Sequence, residues 1–219
     1  MRGHEAHRQL EGNGAGFVRE RALAAAVQRA LERLYQLDES SDVGAFVEPA
    51  RDGEREKVLV READDGTIEL CVRIPPLARR EFDVARDADL DPLCQLIEGV
   101  SHFVYLAERA RLDREATQLE LEVQAEVDKY IVLAGSFVEF DRGRSETLRA
   151  RLYDSVAFDD ARETDKGERY RVANDVAHRY VRMLEREFVA QKRFREMHAE
   201  LRRFYRMGQE EKLRVGRAA

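Results

Sequence analysis

Apolar residues that recur every three or four positions are the feature that most constrains this chain. That spacing places side chains on one face of an α-helix. It runs through four long stretches, which begin near residues 17, 91, 115 and 170. Each stretch predicts an amphipathic helix whose apolar face needs a partner. Together they predict a mainly α-helical bundle.

The period changes from helical to alternating between residues 56 and 74. Apolar side chains then occupy every second position on both sides of the turn sequence Ala-Asp-Asp-Gly, namely Val58, Val60, Ile68, Leu70 and Val72. This pattern predicts a β-hairpin over about residues 56–74. A shorter strand near residues 45–47 is expected to pair with it, since an isolated hairpin is marginal in water. The expected fold class is mainly α with one small β-hairpin, or α+β by strict count.

The domain organisation follows from these stretches. Residues 1–15 contain the run Gly12, Asn13 and Gly14 and few apolar side chains, so we expect a disordered leader there. Residues 16–219 are expected to form one α-rich domain, with a helical core at about 91–207 and a basic C-terminal tail at about 208–219. Asp91 and Pro92 are predicted to begin the second helix as N-cap and first helical residue. Periodicity does not decide whether the last long helix continues past Val189.

Composition narrows the classes of protein. No run of about 18 apolar residues occurs, and the start of the chain has no apolar signal core, so we expect no membrane span and no secretion signal. Cys71 and Cys94 are too few and too far apart to predict a disulfide framework or a zinc cluster. The cytoplasm is therefore the expected location.

Charge is distributed unevenly along the chain. Residues 37–91 carry a net charge of −8, whereas residues 189–219 carry +5. Opposite charges at the two ends could attract each other within or between chains. Two ordinary solvated faces would give the same count.

Arg171, Asn174 and His178 form the first candidate site. On a helix, residues seven apart point in nearly the same direction, so Arg171 and His178 share a face with Asn174 between them. A guanidinium that holds a phosphate and an imidazole that moves a proton could together cleave RNA.

The ten residues from Arg171 to Tyr180 resemble a motif of HEPN-domain proteins. In that motif an Arg precedes a His by four to six intervening residues, and a Tyr often follows two positions later. Here six residues separate Arg171 from His178, which is the longest permitted spacing, and Tyr180 follows. The resemblance implies a helical bundle that commonly dimerises and acts as a ribonuclease or as a partner of a nucleotide transferase.

Glu98 and His102 are the candidate metal ligands. They lie four residues apart on the predicted second helix, outside its apolar stripe. With His178 and a Glu of the next helix, Glu122 or Glu126, they could form a carboxylate and histidine site inside a bundle. The chain lacks the paired Glu-x-x-His motifs of di-metal bundles, so a hydrogen bond between the two side chains on the helix surface is the alternative.

Glu126 lies on a stripe that we expect to be buried, where a carboxylate needs a partner. An Arg or Lys from another helix is the expected partner. The alternative is a functional acid with a raised pKa.

The C-terminal segment combines basic and aromatic residues. Such a segment could lie along nucleic-acid phosphates and stack on bases, although the helical spacing of its aromatic residues also predicts burial. Its basic residues are Lys192, Arg193, Arg195, Arg202, Arg203, Arg206, Lys212, Arg214 and Arg217, and its aromatic residues are Phe194, Phe204 and Tyr205.

Phosphate-binding loops, dinucleotide fingerprints, serine-hydrolase elbows and zinc-protease motifs are all missing from the sequence. We therefore expect a non-enzymatic interaction or regulatory protein without a cofactor. It is expected to bind a protein partner or a second copy of itself through helical surfaces. A HEPN-like ribonuclease or RNA-binding bundle is the alternative.

Overall fold

The computed structural model describes residues 17–38, 40–62, 68–77 and 87–218. The predicted leader over residues 1–15 and the turn of the predicted hairpin lie outside these residues. The described part contains seven α-helices and three strands, which confirms a mainly α fold with a small sheet. The helices are α1 (Val18–Tyr35), α2 (Asp87–Arg111), α3 (Gln118–Ala134), α4 (Arg142–Arg149), α5 (Asp165–Leu184), α6 (Phe194–Arg206) and α7 (Gln209–Ala218). The strands are β1 (Val47–Pro49), β2 (Lys57–Glu62) and β3 (Ile68–Ile74).

The chain divides into two compact units. The first draws on residues up to Arg29 and on Ser41 to Phe103, and the second on Ala30 to Ser40 and on Val104 onward. Helices α1 and α2 therefore each supply residues to both. The prediction of one domain over residues 16–219 stays a prediction. No helix in the described ranges is long and apolar enough to cross a membrane.

The first unit contains the sheet, in the order β1-β3-β2. Strands β2 and β3 are antiparallel, with Val58 opposite Val72, so the predicted pairing is confirmed. The third strand lies at 47–49 rather than 45–47 and pairs with β3 in parallel. Gly99 of α2 lies against β3, and a Cβ there would be 2.9 Å from Val72 Cγ1. Glycine thus permits a close approach of helix and sheet.

Helix α2 begins five residues earlier than the sequence indicated. Its first residue is Asp87 rather than Pro92, so Asp91 is not the N-cap and Pro92 lies inside the helix. A proline there lacks the N–H that would bond to the carbonyl of residue 88, and its ring crowds that carbonyl. The helix nevertheless continues through Pro92.

The second unit is built around α3, whose apolar residues are buried on several sides. Thr117 caps the start of α3 by accepting a hydrogen bond from the Glu120 N–H, and Gly135 ends the helix. Tyr180 of α5 and Phe204 of α6 stack with ring centroids 4.0 Å apart.

The end of the chain is not one continuous helix. A π-helical segment, Glu185–Val189, follows α5, and a turn at residues 190–193 separates it from α6. Lys192 has a φ of 55° in that turn. The predicted basic tail is instead helix α7, which packs closely on α5. A Cβ at Gly216 would lie 2.6 Å from Val176 Cγ1.

Candidate functional site

Arg171 links the segment before α5 to the first turn of that helix. Its guanidinium Nη1 donates to the carbonyls of Asp160, at 3.1 Å, and Gly167, at 2.8 Å. The guanidinium also lies 4.6 Å from the ring centre of Phe158. A Cβ at Gly167 would be 2.0 Å from the Ala161 carbonyl oxygen, so only glycine permits this close approach. The contacts of Arg171 are those of a structural residue.

Asn174 also contacts a backbone carbonyl. Its Nδ2 donates to the Tyr153 oxygen at 3.3 Å. Tyr153 belongs to the π-helical segment Ala150–Asp154, which continues α4. Asn174 thus links α5 to that segment.

His178 has a different arginine as its partner. Arg149 Nη1 lies 2.8 Å from His178 Nε2, and Asp154 Oδ1 lies 3.4 Å from the same nitrogen. Because a guanidinium can only donate, Nε2 accepts, which places the proton of the neutral imidazole on Nδ1. Burial lowers the pKa of His178, and the opposing attraction of Asp154 is weaker. The ring stacks on Tyr153 with centroids 5.7 Å apart.

Arg149 is held by a chain of buried hydrogen bonds. Its Nε donates to Glu185 Oε2 at 2.8 Å, and Ser145 Oγ donates to Glu185 Oε1 at 2.8 Å. Tyr130 of α3 lies 2.6 Å from Ser145 Oγ. Burial raises the pKa of Tyr130, so its hydroxyl stays protonated. These bonds fix Arg149 in a defined orientation.

An open cavity of about 290 Å³ lies beside this group, and five arginines and two glutamates line it. We call it the arginine cavity. Its lining residues are Arg142, Glu146, Arg149, Arg179, Arg182, Glu185 and Arg186. Both π-helical segments border it, since Arg149 precedes one and Glu185 begins the other. Such segments occur frequently at functional sites.

The ion pairs of the arginine cavity leave one arginine available. Arg142 pairs with Glu146, Arg179 with Asp175, and Arg186 with Glu187. These pairs are exposed, and exposed pairs contribute little and exchange readily. Arg182 is exposed and has no ion pair within the part of the chain that the structure describes. Guanidinium groups bind phosphate through two parallel hydrogen bonds, so the lining suits a phosphate group.

The second unit also buries a lysine that the sequence placed in an exposed basic tail. Lys212 is 0% exposed, and its Nζ donates to Gln124 Oε1 at 2.8 Å and to the Tyr105 hydroxyl at 3.1 Å. Burial lowers the pKa of Lys212 to about 7, although Glu120 and Asp128 oppose the shift. A signal was present in the sequence, because Gln124 and Asp128 are polar residues within the most apolar helix and need partners.

The remaining candidates are not among the residues that line the arginine cavity. Glu98 and His102 are both buried on α2, so the two side chains do not lie at an exposed helix surface, and a hydrogen bond between them stays a prediction. All residues from 95 to 105 are buried, so this stretch of α2 has no exposed face. Their role as metal ligands stays a prediction. Glu126 forms an ion pair with Lys129, with Oε1 and Nζ 2.6 Å apart. This partner belongs to the same helix, whereas we expected an Arg or Lys from another helix.

The basic C-terminal residues divide into exposed and structural ones. Phe204 and Tyr205 are buried, so they cannot stack on bases. Arg202 donates to the Leu34 carbonyl, and Arg203 pairs with Glu200. Lys212 is inaccessible to a ligand at the surface.

Comparison with known proteins gives no relative. No family model, no curated protein and no solved structure matches the chain. The similarity to HEPN-domain proteins therefore rests on the ten residues from Arg171 to Tyr180.

Proposed function

We propose that the protein is a non-enzymatic binding protein that holds single-stranded RNA by its phosphates in the arginine cavity. The observation that carries the proposal is the lining itself, with five arginines against two glutamates around one opening. Arg149 is already oriented by Glu185. A phosphate that binds there meets a guanidinium whose side-chain entropy is largely lost before binding.

Single-stranded nucleic acid suits this surface better than a duplex. A duplex is held along a broad basic face, whereas the whole chain carries a net charge of −6 and its positive charge at this site is local. A flexible strand can turn one phosphate at a time into an opening of this size. The neutral His178 imidazole beside Arg149 offers a further polar contact for a ribose hydroxyl.

Binding without cleavage is supported by the partners of the candidate catalytic residues. Arg171 donates to two backbone carbonyls, and Arg149 occupies Nε2 of His178. A general base needs a free nitrogen within reach of the proton that it removes. We therefore favour the RNA-binding form of the HEPN-like alternative over a ribonuclease.

The first test measures affinity for a labelled RNA of about 12 nucleotides by fluorescence anisotropy. The double variant Arg182→Gln/Arg186→Gln should bind about tenfold more weakly, since two phosphate contacts are lost. The matched control is Arg162→Gln/Arg195→Gln, which removes the same charge from exposed positions elsewhere and should bind like the wild type. Equal affinity of the two double variants would contradict the proposal.

The same RNA tests for chemistry. We expect the wild-type protein to leave the RNA intact during prolonged incubation. If the wild type cuts the RNA and His178→Ala does not, the protein is a ribonuclease and the non-enzymatic part of the proposal fails. A DNA strand of the same sequence tests whether the sugar matters.

A second candidate function is contact with a protein, including a second copy of the chain. The loop between α3 and α4 exposes Val138 completely. Phe137 and Phe140 flank it with ring centroids 6.2 Å apart. An exposed apolar group of this kind often marks a contact surface.

Light scattering after size-exclusion chromatography tests self-association. We expect a wild-type dimer, because burial of this loop removes apolar surface from water. Val138→Asp should yield monomers, whereas the control Val156→Asp, on another exposed loop, should not. A wild-type monomer at every concentration would exclude the dimer.

For the location, the cytoplasm remains our proposal, since Cys71 and Cys94 form no disulfide. We propose no cofactor.

A further inference from the structure

A second cavity, of about 310 Å³, lies at the ends of three helices in the second unit. We call it the tyrosine cavity. Gln36 and Leu37 line it after α1, and Tyr205 and Arg206 line it at the end of α6. The end of α2 and the turn after it supply the other lining residues, Tyr105, Glu108, Arg109, Arg111, Leu112 and Arg114.

The floor of the tyrosine cavity is buried and rigid. Arg109 donates to the Tyr105 hydroxyl, to the Glu120 carboxylate and to the Met207 carbonyl. All three acceptors lie around Nη2, so this end of the guanidinium has little freedom. Tyr105 is 1% exposed, so its ring is a fixed surface.

Tyr205, which also lines the tyrosine cavity, has an unused hydroxyl. The side chain is 4% exposed, and its hydroxyl oxygen is buried without a hydrogen-bond partner in the described part of the chain. Its ring stacks on Tyr35 with centroids 4.1 Å apart. Burial raises the pKa of Tyr205, so the hydroxyl remains a donor at any physiological pH. A buried donor without a partner is costly, and such a group calls for an explanation.

The rim of the tyrosine cavity carries arginines in two different states. Arg111 pairs with Glu108 and with Asp38. Arg114 and Arg206 are exposed, and neither has an ion pair within the described ranges. Two available guanidinium groups at the edge of a partly apolar opening favour a ligand with an anionic head and an apolar body.

We propose that the tyrosine cavity binds a small aromatic or aliphatic carboxylic acid. The carboxylate lies between Arg114 and Arg206. The body of the acid packs against Leu37, Leu112 and the edge of the Tyr205 ring. This site is separate from the arginine cavity and does not depend on RNA binding.

The test titrates the full-length protein with 2-naphthoate and with its neutral analogue 2-naphthalenemethanol, followed by isothermal titration calorimetry. We expect naphthoate to bind about tenfold more tightly than the alcohol, because only the acid pairs with the arginines. Equal affinities for the two compounds, or no binding of naphthoate, would overturn the proposal.

Variants locate the binding on the protein. Arg114→Gln/Arg206→Gln should lower the naphthoate affinity about tenfold, whereas Arg162→Gln/Arg195→Gln should not change it. All four positions are exposed, so none of these changes threatens the fold. Undiminished binding by the double arginine variant would place naphthoate elsewhere and overturn the assignment.

Discussion

Lys212 is in an environment that disfavours its charge. Its Nζ is buried between Tyr105 and Gln124, and Arg109 adds a second positive charge nearby. Glu120 and Asp128 offset part of this repulsion. Because burial is the largest cause, the folded protein binds a proton at Lys212 less readily than the unfolded chain does.

This leads to a prediction about stability and pH. The pKa of Lys212 is about 7 in the folded protein and 10.5 in a free side chain. Above pH 7 the unfolded state therefore holds more protons, and the free energy of unfolding rises with pH. Between about pH 7 and pH 8.5 this rise should be ~1.5 kcal/mol. Urea unfolding of the wild type at both pH values measures it.

Lys212→Met should remove most of the rise in the free energy of unfolding. The control Lys192→Met, at an exposed position, should keep that rise. The pH window avoids the other groups with shifted pKa values. The lowered pKa of His178 changes the free energy of unfolding below about pH 6.5. The raised pKa of Cys71, about 11, changes it mainly from about pH 9 upward. An equal slope in wild type and Lys212→Met would show that the lysine is charged when folded.

At the scale of the helices, Gly216 determines how closely α7 approaches α5. A Cβ at this position would lie 2.6 Å from Val176 Cγ1 and 3.1 Å from the Val176 carbonyl oxygen. Alanine normally stabilises a helix relative to glycine by about 1 kcal/mol. Contacts this short with backbone atoms require the helices to separate, and overpacking costs about 1–3 kcal/mol.

We therefore expect Gly216→Ala to destabilise the protein by about 1 kcal/mol, as measured by urea unfolding. Gly143→Ala is the matched control, because the nearest atom to a Cβ there is Asp141 Oδ1 at an ordinary 3.6 Å. Gly143 is exposed on α4, so this change should stabilise the protein slightly. A stabilising effect at both positions would contradict the packing of α7 on α5.

The long helices α1, α2, α3 and α5 and the hairpin could be predicted from the sequence, because each is encoded by local periodicity. The alternation of Val58 and Val60, for example, indicated β2. The start of α2 was misjudged, since Pro92 is compatible with more than one register. The break after Val189 depends on a single turn at Lys192 and carries no periodic signal.

At the scale of the whole molecule, the candidate sites could be predicted only in part. His178 was identified from its spacing, but its partner Arg149 lies on another helix, and only packing brings the two together. Arg171 was assigned to the same site by its position on α5, whereas its guanidinium contacts the Asp160 carbonyl before that helix and the Gly167 carbonyl in its first turn. Local sequence does not encode which of many arginines meet across helices.

Because the chain is acidic overall, the salt dependence of the affinity is the quantity that best tests RNA binding. The whole chain is acidic at −6, so RNA can bind only where arginines are locally concentrated. For single-stranded nucleic acid, the logarithm of the affinity falls with the logarithm of the salt concentration by about 0.7 for each phosphate contact. The slope therefore counts the contacts that a variant loses.

The measurement that tests the central claim most directly is this slope between about 50 and 200 mM salt, for wild type and for Arg182→Gln/Arg186→Gln. If the arginine cavity holds RNA phosphates, the variant's slope should be shallower by about 1.4. The control Arg162→Gln/Arg195→Gln should keep the wild-type slope. Identical slopes in all three proteins, or no RNA binding by the wild type, would contradict the assignment of this cavity as an RNA site.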